Sequence, residues 1–240
     1  MPRSLAPSAA VARRQLHALA TEERAKISTS FFKTGPGQYG EGDRFIGVTV
    51  PNIRKIARGL GRLPLNETAT LLASPVHEER LLALIVLSDQ YSKGNEQTKT
   101  LIYRLYTRRI KHVNNWDLVD SSAPHIVGAY LFKRNRKPLY DLARAKTIWK
   151  RRIAIMATLY FIREGDFGDT LALAEALLQD DQDLTHKASG WMLREVGKRN
   201  PETLEGFLNN HYPKMPRTML RYAIERLPKA TRTAYLRGTA

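Results

Sequence analysis

The sequence predicts an all-α protein, an α-solenoid of stacked helix pairs curved around a basic, concave cleft. Three observations carry that expectation. Apolar residues recur at three- and four-residue steps along most of the chain. Strong helices begin at intervals of roughly 30 to 40 residues, the spacing of a two-helix repeat. Lysine and arginine number 39 against 23 aspartate and glutamate, a formal net charge of +16, which points to a polyanionic partner, nucleic acid first.

The elements follow in order. The first stretch, MPRSLAPSAAVARRQLHALA, has arginines and small residues but no continuous apolar run. It reads as the first helix of a domain rather than as a secretory signal; residues 1–25 are the least defined part of the pattern. Residues 34–56, TGPGQYGEGDRFIGVTVPNIRKI, form a loop that holds five of the 15 glycines and leads into a helix near Asn52, with Pro51 at its start. FIGVTV gives a brief hint of strand alternation, interrupted by Gly47. Gly-rich backbone beside a helix N-terminus can bind phosphate oxygens. A tight connection between packed helices is the other reading, and without GxxxxGK[ST] the segment is no P-loop.

A strong helix then begins near Glu78, and QTKTLIYRLYTRRI follows as its pair. The next strong helices begin near Trp116, Trp149, Thr185 and Pro216, with second helices over residues 138–146, 168–179 and 201–210. Asn114 and Asn115 are suited to cap the helix at Trp116, where Trp116 and Asp120, at i and i+4, share a face. IAIMATLYFI is apolar nearly all round, as in a helix buried between neighbours. Pairs of this period suggest a solenoid of the HEAT or armadillo sort, with the starts of the strong helices lining the concave face. No linker interrupts the pattern, so residues 1–240 read as one domain.

Several chemistries drop out. The chain has no cysteine, which removes thiol catalysis, disulfides and Cys-ligated zinc. Its six histidines are scattered without HExxH or a comparable ligand spacing, and GxSxG is absent. No metal or other cofactor is expected. No apolar run approaches the ~18 residues that span a bilayer.

What remains is a set of residues at helix starts. Trp116, Trp149 and Trp191 are either core residues or ring faces for cations and bases. Asp120 stands between basic runs, where a carboxylate stabilises nothing unless it meets a positive charge. Arg151 and Arg152 open a helix, the unfavourable end for a cation by roughly 0.3–1 kcal/mol. A bound phosphate or a carboxylate of a neighbouring repeat would resolve that conflict equally well. The last 30 residues carry seven Lys/Arg against one acid, Glu225, as a backbone-binding surface or a solvated capping helix.

FFKTGPGQYGEGDRFIGVTVPNIRKIA, NNWDLVD, WKRRIAIMATLYFIR and the tryptophan of HKASGWMLREVGKR together resemble the AlkD-type alkylpurine DNA glycosylases, bacterial repair enzymes with a HEAT-like fold. The resemblance runs from about Phe31 to about Arg226. It implies a catalytic set of Asp120, Trp116, Trp191 and Arg152. It also implies a DNA-backbone contact at Tyr39. Lys150, Arg151, Lys187, Arg217 and Arg221 are expected, from charge and position, to bind DNA backbone as well. The implied partner is double-stranded DNA with alkylated bases, in the bacterial cytoplasm. A monomer is expected, because one cleft makes a complete site. The implied reaction releases 3-methyladenine and 7-methylguanine. Those bases are cationic and leave neutral, so no acid is needed to protonate them, unlike most glycoside cleavage. A basic HEAT-like scaffold that holds nucleic acid without chemistry is the competing reading, and a scaffold for acidic proteins a third.

Overall fold

The computed structural model describes residues 7–239, whose regular secondary structure is helical. The strand hint at residues 45–50 comes to one isolated bridge, Arg44 with Val76. Gly47 takes a positive φ of 81° there, which ends any regular pleat. No helix among the described residues is long and apolar enough to cross a membrane.

The chain divides into two compact units, Met1–Ser122 and Ala123–Ala240. The first contains α1 (Ala9–His17), α2 (Glu22–Phe31), α3 (Val50–Gly59), α4 (Leu65–Leu72), α5 (His77–Lys93), α6 (Glu96–Arg108) and the five-residue α7 (Trp116–Asp120). The centre of this unit is α5, which packs against α1, α3, α4, α6 and α7. Leu81, Leu82, Leu84, Val86 and Leu87 are all buried on it, so it is apolar around much of its girth, as a helix enclosed by neighbours should be. By contrast α2 buries none of its residues; Ile27 and Phe31 are 62% and 63% exposed.

The second unit begins with a π-helical turn (Pro124–Gly128) and α8 (Ala129–Leu131). It continues through α9 (Lys137–Ala143), α10 (Ile148–Arg163), α11 (Gly168–Ala176), α12 (Asp183–Gly197), α13 (Pro201–His211), α14 (Arg217–Ala223) and α15 (Lys229–Arg237). In it α10 packs against α12, and α12 against α14, while α11 and α13 pack on these from the intervening chain. The strong helices expected near Trp149, Thr185 and Pro216 are therefore in successive contact. Gly190 shows how close: a Cβ there would lie 2.4 Å from the carbonyl oxygen of Met219 on α14.

The helix starting at Trp116 is shorter than the periodicity suggests. After Asp120 the Ser122 hydroxyl takes the Leu118 carbonyl at 2.5 Å and also meets the Tyr106 hydroxyl at 3.1 Å. Pro124, two residues on, has no N–H to continue the ladder.

Gly47 is where α2 meets the loop. The Thr21 N–H donates to Ile46 O at 3.1 Å, and a Cβ on Gly47 would sit 2.1 Å from the Thr21 carbonyl. Gly47→Ala is expected to cost about 2 kcal/mol or more, from the positive φ and the clash together. Urea unfolding of the two proteins measures it.

Candidate functional site

The short helix α7 carries Trp116 and Asp120, and its position depends on a cluster of charges at the start of α5. His77, Glu78, Glu79 and Arg80 open that helix, each between 1% and 3% exposed. Such residues are almost never buried unless paired, and here every one has a partner. Glu78 receives the backbone N–H groups of Ile46, Gly47 and Val48, at 3.1, 2.8 and 3.3 Å. Glu79 takes the Arg13 side chain of α1 at 2.8 Å. Arg80 donates to Asp43 and to the carbonyl of Ser74. His77 meets Asp43 through Nδ1 at 2.9 Å and Asp117 through Nε2 at 2.8 Å. Ionised carboxylates only accept, so two of them call for an N–H on each ring nitrogen, which is the imidazolium; the geometry is that of a cation between two carboxylates.

The electrostatics agree. Burial works against charge on His77, but the hydrogen bonds to Asp117 and Asp43 and the charges of those carboxylates hold it above its ordinary value. Burial likewise opposes ionisation of Asp43, yet the His77 hydrogen bond, the Arg80 charge and the Asn115 hydrogen bond hold it below the usual carboxylate range.

Two residues flanking Trp116 reach this cluster. The Asn115 side chain accepts the Trp116 N–H at 2.8 Å, as an N-cap, and donates to Asp43 at 3.0 Å. Asp117 holds His77 with one oxygen and takes the Leu118 N–H with the other at 2.8 Å. An acid in the first turn of a helix ordinarily needs only the helix dipole to explain it; Asp117 in addition faces a buried cation. Of the two asparagines expected to cap, Asn115 does so.

Aromatic rings continue the same surface. Trp116 stacks on Phe32 with centroids 5.2 Å apart, and Phe32 on Phe45 at 4.9 Å. Phe45 in turn stacks on the His77 ring at 4.5 Å, a cation–π arrangement. Phe31 meets Trp116 edge-on at 6.0 Å while remaining largely exposed. Asp120, half-buried at the other end of α7, lies near enough to Tyr106 for its charge to disfavour ionisation of that phenol. Burial is the larger cause, with the Ser122 hydrogen bond opposing, and the hydroxyl stands far above its usual range.

The Gly-rich loop closes on itself. The N–H groups of Gly35 and Gly37 go to the side chains of Gln38 and Glu41, and that of Gly40 to the carbonyl of Lys33. With three more amides on Glu78, the tight-connection reading describes it better than a phosphate cradle. The Tyr39 hydroxyl donates to the Phe31 carbonyl at 3.3 Å.

In the second unit the expected residues take various positions. Trp191 is half-buried, its indole N–H donating to Glu195 at 3.2 Å. Arg152 is 4% exposed and donates to the carbonyl of Leu184. Arg151 grips Asp180 at 2.5 and 3.1 Å and the carbonyls of Ala145 and Lys146; a carboxylate thus answers its place at a helix start. Lys187 pairs with Asp183 at 2.8 Å, and Lys150 is half-buried. Arg217 and Arg221 are exposed, Arg217 donating to the Leu236 carbonyl at 2.7 Å.

Sequence reasoning misses Asp43, His77, Arg80, Asn115's second bond and Phe31. One signal was present: HEER stands directly before the apolar run LLALIVL, which places four charges at the end of a helix bound to be enclosed.

A family model described as DNA alkylation repair enzyme matches residues 12–227. No curated protein matches by sequence. A solved structure described as a predicted DNA alkylation repair enzyme from Enterococcus faecalis shares the fold. Its TM-score is 0.67 at 16% identity, covering 88% of this chain and 97% of that one.

The stability of the first unit should depend on pH at both ends. His77 is raised above 6.5, so its contribution is full below that pH and lost as pH climbs through the folded value. Asp43 is lowered from 3.8, so its contribution is full above that pH and lost as pH falls through the folded value. Unfolding curves from pH 3 to 10 should show both limbs, and Asp43→Asn should lose about 3–5 kcal/mol at neutral pH by stranding buried cations.

Proposed function

The chain belongs to the DNA alkylation repair enzyme family, and from that premise we propose that it is a DNA glycosylase releasing cationic alkylpurines, such as 3-methyladenine and 7-methylguanine, from duplex DNA. The observation that carries the proposal is the pairing on α7 of a half-buried indole with a half-buried carboxylate, four residues apart and anchored at both ends.

The reaction breaks the N-glycosidic bond between C1′ of deoxyribose and the alkylated purine. The bonding pair leaves with the base, whose positive charge it cancels, and positive charge builds on the sugar. Asp120 stabilises that charge and positions the water that attacks C1′. Water supplies the hydroxyl of the abasic sugar and releases one proton. Trp116 offers its ring face to the cationic nucleotide; the Phe32 and Phe45 stack behind it keeps the indole from turning away. Phe31, exposed beside Trp116, adds apolar surface for the DNA.

For the second unit the proposal is separate. Its succession of α10, α12 and α14 contacts supports HEAT-like stacking. Trp191 offers a further ring to the DNA and Arg152 a phosphate contact, roles that rest on the family resemblance. Tyr39, Lys150, Lys187, Arg217 and Arg221 bind backbone without reading sequence. Arg151 contributes by fixing the start of α10 through Asp180.

Abasic sites in methylated duplex DNA, cleaved by alkali and resolved on a gel, test the activity. Wild-type protein should generate them, and a binding scaffold should not. Asp120→Asn should lower the single-turnover rate of 7-methylguanine release by about 10²-fold or more with DNA affinity retained. Uracil, which leaves as an anion, should not be released. Arg221→Ala should reduce the slope of log affinity against log salt by about 0.9, measured by fluorescence anisotropy.

A further inference from the structure

His77 has no part in the chemistry above, yet it is a fully buried, doubly bonded cation one side-chain contact from the helix that carries Trp116 and Asp120. We propose that His77 is a positioning residue: bridged between Asp43 and Asp117, its imidazolium fixes the first turn of α7 and thereby the orientation of Trp116 and Asp120. The activity arm of this proposal rests on the glycosylase reading; the fluorescence arm does not.

A five-residue helix has no stability of its own, so outside contacts decide where α7 sits. Its C-terminal end is held by Tyr106, whose hydroxyl meets that of Ser122, and Ser122 in turn donates to the α7 carbonyl of Leu118. Its N-terminal end is held by Asn115 and Asp117, the residues on either side of Trp116, and both lead to the same two groups. Asp43 Oδ2 accepts from Asn115 at 3.0 Å and from His77 at 2.9 Å, and His77 passes the link on to Asp117 at 2.8 Å. The ionisable groups around His77 are Asp43 from the loop, Asp117 from α7 and Arg80 from its own helix. The other charged groups at this helix start face elsewhere: Glu78 toward the loop amides, Glu79 toward Arg13 and His17 of α1. Two carboxylates and two cations balance while His77 is protonated. When it loses its proton, one ring nitrogen becomes an acceptor facing a carboxylate oxygen. That contact turns repulsive, and the Asp43 or Asp117 link must open.

This separates His77 from an ordinary core residue. Packing alone would make its loss a matter of how much protein is folded. Positioning makes the chemical step of the folded protein depend on the charge of His77, with DNA affinity, set by surface cations, largely unaffected. His112 cannot mimic the effect, because burial and the charges of Lys111, Arg109 and Arg80 hold it below its ordinary value, so it is already neutral in the alkaline range.

Three proteins are compared from pH 6 to 10: wild type, His77→Gln and Asp117→Asn, the last keeping an acceptor for Nε2 but dropping the charge. Single-turnover release of 7-methylguanine, DNA affinity and acrylamide quenching of Trp116 in a Trp149→Phe/Trp191→Phe background are measured, with folded fraction from circular dichroism. His77→Gln should lower the release rate at least tenfold at pH 7, with affinity within twofold and Trp116 more accessible to quencher. Asp117→Asn should move the alkaline decline of wild type toward neutral pH. A folded His77→Gln with wild-type rate and quenching, or an alkaline limb that Asp117→Asn leaves in place, overturns the proposal. Should His77→Gln fail to fold, the Asp117→Asn limb decides. If wild type releases no base, the glycosylase reading fails instead, and Trp116 quenching across the pH range decides the positioning role: a flat wild-type profile rejects it.

Discussion

The first unit depends on the placing of four charged side chains where the core helix α5 begins. Together they face several parts of the unit: Glu79 faces α1, Glu78 the loop, His77 and Arg80 both the acid at Asp43, and His77 also α7. Hydrophobic burial along α5 is non-directional and would accept several arrangements of its neighbours. The charged turn accepts few, because each buried ion left without its partner costs several kcal/mol. Net stability from such ion pairs is small against an apolar replacement of the same shape. What they supply in this unit is location, and the element they locate most tightly is its shortest α-helix.

Much of the fold was legible in the sequence because helix periodicity and helix punctuation are local properties. The strong helices begin within a residue or two of where Glu78, Trp116, Trp149, Thr185 and Pro216 place them. The departures have local causes as well. At Ser122 a hydroxyl takes a main-chain carbonyl and Pro124 lacks its donor, so the helix at Trp116 ends after five residues. At Gly47 a left-handed backbone ends the strand pattern.

The site was legible in a different measure. That Trp116 and Asp120 share a helix face follows from a spacing of four, and spacing survives folding. The cluster behind them joins residue 43 to 77 and 77 to 117, and no pattern within a window of residues connects such positions. Asp117 shows the difficulty well. An acid in the first turn of a helix has a sufficient local explanation, and the dipole explanation conceals a partner 40 residues earlier. Arg151 makes the opposite case. A cation at a helix start is a local conflict, so the sequence does signal that a partner must exist, and Asp180 is one of the two kinds it allows.

Glu78 has one more consequence. Residues 46–48 belong to no helix or strand, and an irregular segment near the surface ordinarily exchanges its amide hydrogens with water within a short time. These three amides are bonded to a carboxylate that is 3% exposed at the end of a buried helix. Their exchange is therefore gated by opening of the first turn of α5, and should be as slow as that of the helix itself. Kinetically, a stretch of loop belongs to the core.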